Sequence, residues 1–202
     1  LGLLYYFDKY KLFKEVNRSI SKLKLTIKQT LETDLTPYLF PTHYQEIISQ
    51  QAPALPELTF AIMRQESSFD KYARSPADAF GLMQLIPETA AITAKAAKLD
   101  FRGYEDLYNP ATNIKLGSTL IQNLLKKFDG NLVLAIAAYN AGHLPVQKWQ
   151  RIRFRSDPVE FVEMIPYDET QSYVKHVLRN FFTYKRLLKP QEILSQKNLT
   201  LE

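Results

Sequence analysis

Apolar residues recur at three- and four-residue intervals through this chain of 202 residues, and no run alternates as a half-buried strand does. That spacing restricts the fold to packed helices. Phe7, Tyr10, Phe13, Val16, Ile20, Leu23, Ile27 and Leu31 predict one long amphipathic helix at the start. Ile114, Leu120, Ile121, Leu124, Leu125 and Phe128 predict a second apolar stripe. Tyr173, Val174, Val177, Leu178, Phe181, Phe182 and Leu188 mark a third, in the last long helix.

Prolines and asparagines punctuate the helical text. Pro37, Pro41, Pro53 and Pro56 follow the first helix closely, which places the main boundary between about residues 33 and 40. Pro56 opens a helix running through Gln65, with Glu57 in its first turn. Residues 68 to 82 contain Pro76 and Gly81 and read as a loop. Pro87, Asn109-Pro110, Asn131 and Asp157-Pro158 each start a further helix. The predicted organisation is an N-terminal helical segment over 1–37, a catalytic domain over 38–190 and a polar tail over 191–202.

Composition narrows the partners. The net charge is +5, and the basic excess is early: Lys9, Lys11, Lys14, Arg18, Lys22, Lys24 and Lys28 face only Asp8 and Glu15. Such a face is most simply solvated, or it meets an anionic partner, a membrane or another protein chain. No motif that reads nucleic acid is present. The chain lacks cysteine, which removes disulfides and thiolate metal sites, and His43, His143 and His176 lack ligand spacing. No metal and no cofactor are expected. No stretch has the length of a transmembrane helix, no complete signal peptide is present, and a start at Leu1 reads as a processed or excised piece.

The chemistry centres on Glu66, in the run Met63-Arg64-Gln65-Glu66-Ser67-Ser68-Phe69. It follows an apolar helical stretch and precedes a loop. A helix C-terminus carries partial negative charge and disfavours an anion there. Apolar neighbours penalise the charged form as well. A carboxyl group held neutral near pH 7 is what a glycosidase needs to protonate a leaving oxygen.

Three more segments accompany it: Gly81-Leu82-Met83-Gln84-Leu85-Ile86-Pro87, Ala137-Ala138-Tyr139-Asn140-Ala141-Gly142, and Phe161-Val162-Glu163-Met164-Ile165-Pro166 with Glu169-Thr170 and Tyr173-Val174. Their order and spacing, with Tyr38-Leu39-Phe40-Pro41 and Tyr44 ahead of them, resemble the soluble lytic transglycosylase family over roughly residues 38 to 188. The resemblance implies an all-α, lysozyme-like domain of the goose-type lysozyme and transglycosylase kind. The chain departs from the family pattern at Phe80, where a small or polar residue is usual, and at His143-Leu144, where Pro-Gly is common.

On that resemblance Glu66 falls at the catalytic acid. Ser75 matches a serine beside the acid and the substrate acetamido group; its alternative is a hydroxyl that caps the Ser75-Pro76 turn. Gln84 matches a groove glutamine that hydrogen-bonds sugar, and Met83 reads as core. Tyr139 holds the acid or a sugar through its hydroxyl, or packs inside, and Asn140 contacts substrate or satisfies backbone at a helix end. Glu163 is the second matched carboxylate, either direct or a buried brace. Tyr173 reads as groove wall or core, and His143 as an exposed turn residue.

Ordinary glycosidases use two carboxyl groups. Asp70 and Asp78 are nearest in sequence, and nothing marks either as a nucleophile; Asp70 suits a turn. The resemblance implies another route on peptidoglycan glycan strands in the bacterial envelope. One glutamate protonates the MurNAc–GlcNAc glycosidic oxygen and then, as a base, assists attack by the sugar's own C6 hydroxyl, leaving a 1,6-anhydro end. The competing readings are a hydrolytic goose-type lysozyme and a glycan-binding or scaffolding module of low turnover.

Overall fold

The computed structural model describes residues 32–154 and 157–189, with residues 15, 18–20 and 22 before them. The predicted helix over residues 7–31, apart from those few positions, and the tail over 191–202 lie outside the described residues. The described residues fold into helices: α1 Glu32–Leu39, α2 Gln45–Gln51, α3 Pro56–Ser67, α4 Pro87–Ala97, a 3-10 turn Tyr104–Tyr108, α5 Pro110–Lys127, α6 Leu132–Ala141, α7 His143–Arg153, α8 Pro158–Glu163 and α9 Asp168–Leu188. Two isolated antiparallel bridges, Arg74 with Phe80 and Phe80 with Leu85, are the extended pairings among them. None of these helices is long and apolar enough to cross a membrane.

Local chemistry sets the helix starts. Pro56, Pro87, Pro110 and Pro158 each stand in a first turn, where the missing N–H costs nothing. Asn109 Oδ1 accepts from the N–H groups of Ala111 and Thr112, Asn131 caps Leu134, and Asp157 caps Val159 and Glu160. Each cap satisfies donors that a bare helix end would leave open, worth about 1 kcal/mol.

α6 is the axis of the core. Residues from Val133 to Ala138 are all buried, and α5, α7 and α9 pack around it. A helix apolar on every side has to be enclosed. The long α9 lies along α3, the most extensive helix pairing among the described residues. Tyr184 stacks on Phe60 at 4.9 Å, and its hydroxyl donates to the Pro41 carbonyl. Arg64 of α3 donates from Nε to the Leu39 carbonyl and lies over the Phe40 ring, tying α1 to the same pair.

Four differences from the sequence reading stand out. α7 was not expected, and His143 opens it as a partly buried first residue rather than sitting in an exposed turn. α2 was also not expected. Phe182 points outward, because the inner face of α9 runs through Tyr173, Val177, Asn180 and Tyr184, and position 182 falls between its rows. Pro37 lies inside α1 with Leu35 buried beside it, so the division at residue 37 falls within a helix.

Candidate active site

Two walls meet at a cleft of about 390 Å³, lined by Glu66, Ser75, Pro76, Ala77, Ala79, Gln84, Ile86, Tyr139, Asn140 and Glu169. One wall is made by the ends of α3, α6 and α9. The other is the loop between α3 and α4.

Glu66 occupies the last turn of α3, which ends at Ser67 with Ser68 in the left-handed conformation. Its side chain is partly buried, and Tyr173 Oη donates to Glu66 Oε1 at 2.6 Å. Burial pushes the Glu66 pKa up to about 7; the Tyr173 hydrogen bond opposes the rise and the charge of Glu169 adds to it. The tyrosine proton occupies Oε1, so Oε2 is the oxygen left to carry the acidic proton. Tyr173 and Tyr139 are held neutral, both raised well above the usual phenol range by burial and by the neighbouring carboxyl.

The loop wall is folded by its own hydrogen bonds. Ser75 N–H donates to the Ala79 carbonyl, and Ser75 Oγ accepts from the N–H groups of Ala77 and Ala79 at 3.2 and 3.1 Å. Both lone pairs are engaged, which leaves the hydroxyl proton as the part of Ser75 able to act in the cleft. Gln84 donates through Nε2 to the carbonyls of Ala73 and Gly81, so its Oε1 is the free end, and it sits at φ +47°. Gly81 has φ +75°, and a Cβ there would run into the Leu107 carbonyl oxygen and the Asn113 side chain.

Behind the loop, Asn113 of α5 is fully buried. It donates to the carbonyls of Phe80 and Leu107, both at 2.9 Å, and accepts from the Met83 N–H at 2.8 Å. Ser67 Oγ donates to the Leu82 carbonyl, and Tyr139 Oη donates to the Met83 carbonyl at 2.9 Å. Met83 is buried against Gly117, where any side chain larger than hydrogen would meet its sulfur. Asn140 Oδ1 accepts from Thr170 Oγ1 at 2.7 Å, which leaves the Asn140 amide protons for the cleft.

Glu66, Ser75, Gln84, Tyr139 and Asn140 therefore line one cleft, with Tyr173 bonded to the acid and Met83 beneath. Glu163 does not join them. Its side chain is 63% exposed and ion-paired with Lys175 at 2.8 Å, so it is not the buried brace considered above. Asp70 accepts from the Tyr72 N–H as a turn residue, and Asp78 pairs with Arg74. The second carboxylate in the cleft is Glu169, in the first turn of α9. Sequence reasoning carried it only as part of the Glu169-Thr170 pair; its place one helical turn before Tyr173 was the available signal. Asn113 was missed altogether.

Fold and site together define an all-α, lysozyme-like domain whose cleft holds a glutamate with a pKa that burial pushes up to about 7. Residues 44–162 match the Transglycosylase SLT domain family. The chain is 36% identical over 178 residues to a soluble lytic murein transglycosylase of Salmonella typhimurium, covering 84% of this chain and 28% of that protein. It is 42% identical over 142 residues to a putative soluble lytic murein transglycosylase of Haemophilus influenzae, covering 69% and 24%. Its structure is similar to an inactive mutant of the lytic transglycosylase Slt from Pseudomonas aeruginosa, with a TM-score of 0.81, 32% identity, and coverage of 92% of this chain and 30% of that one. The 70 kDa soluble lytic transglycosylase of Escherichia coli gives a TM-score of 0.81 at 30% identity, covering 93% and 30%. The chain spans less than a third of the length of these relatives. It belongs to the transglycosylase SLT domain family.

Proposed function

We propose that this chain is a peptidoglycan lytic transglycosylase that cleaves the MurNAc-β-1,4-GlcNAc bond without water, in the bacterial cell envelope. The observation that carries the reading is Glu66: a carboxyl raised to about 7, bonded to Tyr173, at the wall of a cleft. Glu66 Oε2 gives its proton to the glycosidic oxygen as the bond to C1 of the muramyl residue breaks. The carboxylate then takes the proton of that residue's C6 hydroxyl as O6 bonds to C1. The acid is regenerated, no water is consumed, and the products are a free GlcNAc 4-hydroxyl and a 1,6-anhydro end. An internal nucleophile held in place gains over water through proximity.

The supporting roles follow from which atoms remain available. The Ser75 hydroxyl donates to the substrate acetamido carbonyl, Gln84 Oε1 accepts from a sugar hydroxyl, and the Asn140 amide donates to the strand. Tyr139 holds the Met83 turn in place rather than touching sugar. Glu169 keeps negative charge near Glu66 and so favours its protonated form.

Glu169 also favours one second reading. Two carboxyl groups in one cleft are the equipment of a hydrolase, with Glu169 as the base for water. Mass analysis of muropeptides released from purified sacculi separates the two. Anhydro ends are expected; reducing muramic acid ends without anhydro species would establish the hydrolase.

A further inference from the structure

The outer side of the loop wall carries a second feature that the reaction at Glu66 does not use. Four aromatic rings follow one another there. Tyr72 lies 6.0 Å from Tyr108, Tyr108 meets Phe80 edge-on at 5.7 Å, and Phe80 lies 5.2 Å from Tyr104. Phe80 is buried at the centre, while Tyr72 is 66% and Tyr104 47% exposed. Arg74 lies over the Phe80 ring at 5.3 Å and bonds Asp78, and Lys71 lies over the Tyr72 ring at 4.7 Å. Phe80, one of the positions read above as departing from the family pattern, is the anchor of this row.

Core packing accounts for Phe80 and much of Tyr108. It does not account for two tyrosines that leave their rings to water beside two cations. Exposed rings with held orientation suit a partner that has an apolar C–H face and polar edges. A pyranose ring has both. Arg74 is paired with Asp78 and Glu105 stands against Tyr104, so Lys71 over the Tyr72 ring is the cation that suits a polymer whose lactyl and peptide groups are carboxylates. The row is continuous with the cleft, because the segment that carries Tyr72 and Arg74 runs directly into Ser75, Pro76, Ala77 and Ala79 of its lining.

We propose that Tyr72 and Tyr104, set by Phe80 and Tyr108, form an auxiliary glycan-binding shelf that stacks pyranose rings of an anionic amino-sugar polymer outside the cleft. The shelf rests on the peptidoglycan reading above. Its ligand is a distant part of the strand being cut, because the row is continuous with the cleft. Stacking holds the polymer near the cleft and takes no part in proton transfer.

The test uses the full chain in a Glu66→Gln background, so that bound material is not degraded, and measures co-sedimentation with purified sacculi. Tyr72→Ala with Tyr104→Ala is expected to weaken binding about ten-fold, the loss of two stacked rings. Tyr72→Phe with Tyr104→Phe, which keeps the rings, is expected to retain it. With Glu66 intact, the alanine pair is expected to cleave a soluble tetrasaccharide as the parent does. The alanine pair is also expected to lose affinity for long soluble single strands; a loss confined to cross-linked sacculi would overturn the cut strand as the occupant in favour of a neighbouring one. Unchanged sacculus binding by the alanine pair, or an equal loss in the phenylalanine pair, would overturn the shelf while leaving the cleft reading intact. A parent chain that neither binds sacculi nor releases muropeptides would overturn both.

Discussion

The two walls of the cleft differ in how they are held and in what each controls. On the helical wall Glu66, Tyr173 and Glu169 project from α3 and α9, the most extensively packed pair among the described helices, and their mutual distances are fixed by that packing. On the loop wall Ser75 and Gln84 are placed by backbone hydrogen bonds and by one buried amide, Asn113. The first wall sets a protonation state. On the proposed reading, the second sets where a ligand lies. A rigid helical pair can keep a carboxyl in a dry setting; a loop with several residues at positive φ can shape itself around backbone donors and acceptors.

If the walls divide the work in this way, substitutions should sort accordingly. Glu66→Gln removes the proton donor while keeping shape, and is expected to lower muropeptide release by about a thousand-fold or more with circular dichroism unchanged. Substantial activity in that variant would end the assignment. Asn113→Leu leaves the Phe80 and Leu107 carbonyls and the Met83 N–H without a partner. It is expected to cost about 3 kcal/mol in urea unfolding and to disorder the loop wall.

Tyr173→Phe sharpens the comparison from the other side. The lost hydrogen bond is one that lowers the Glu66 pKa. The alkaline limb of the activity profile should therefore move upward, on the order of one pH unit, with little change in substrate affinity. Glu169→Gln removes a charge that raises the same pKa, so the limb should move downward, and by less, since Glu169 is exposed and lies behind burial among the causes.

Stability should follow the same group. Folding raises the Glu66 pKa above its ordinary value of 4.5, so the folded state binds more protons than the unfolded chain between 4.5 and about 7. The sign is a loss of stability as pH rises through that window. Glu66→Gln has no such group, and thermal melts should show it gaining on the parent above pH 7 by at most about 3 kcal/mol.

The helical wall was largely legible in the sequence because its signals are local. Pro56 and Asn131 mark where α3 and α6 begin, and apolar spacing locates Glu66 and Tyr139 at their far ends. Glu163 misled, because a short motif fixes a position along the chain but not whether that turn faces the cleft; its carboxylate turned to Lys175. The loop wall was legible only as a motif. Its geometry depends on Asn113, thirty residues from Met83, and no periodicity links them. α7 escaped because Gly142 and Pro145 look like turn chemistry, while Val146 and Trp149 supply the burial that makes the segment helical.

The central claim is that Glu66 still holds its proton in about half of the molecules at pH 7, where an ordinary glutamate is ionised, because of where α3 and α9 place it. A carbon-13 NMR titration of side-chain carboxyl groups, with Glu66→Gln used to assign the resonance, measures this directly. A midpoint near 7 is the predicted result. A midpoint near 4.5, the ordinary glutamate value, would contradict it.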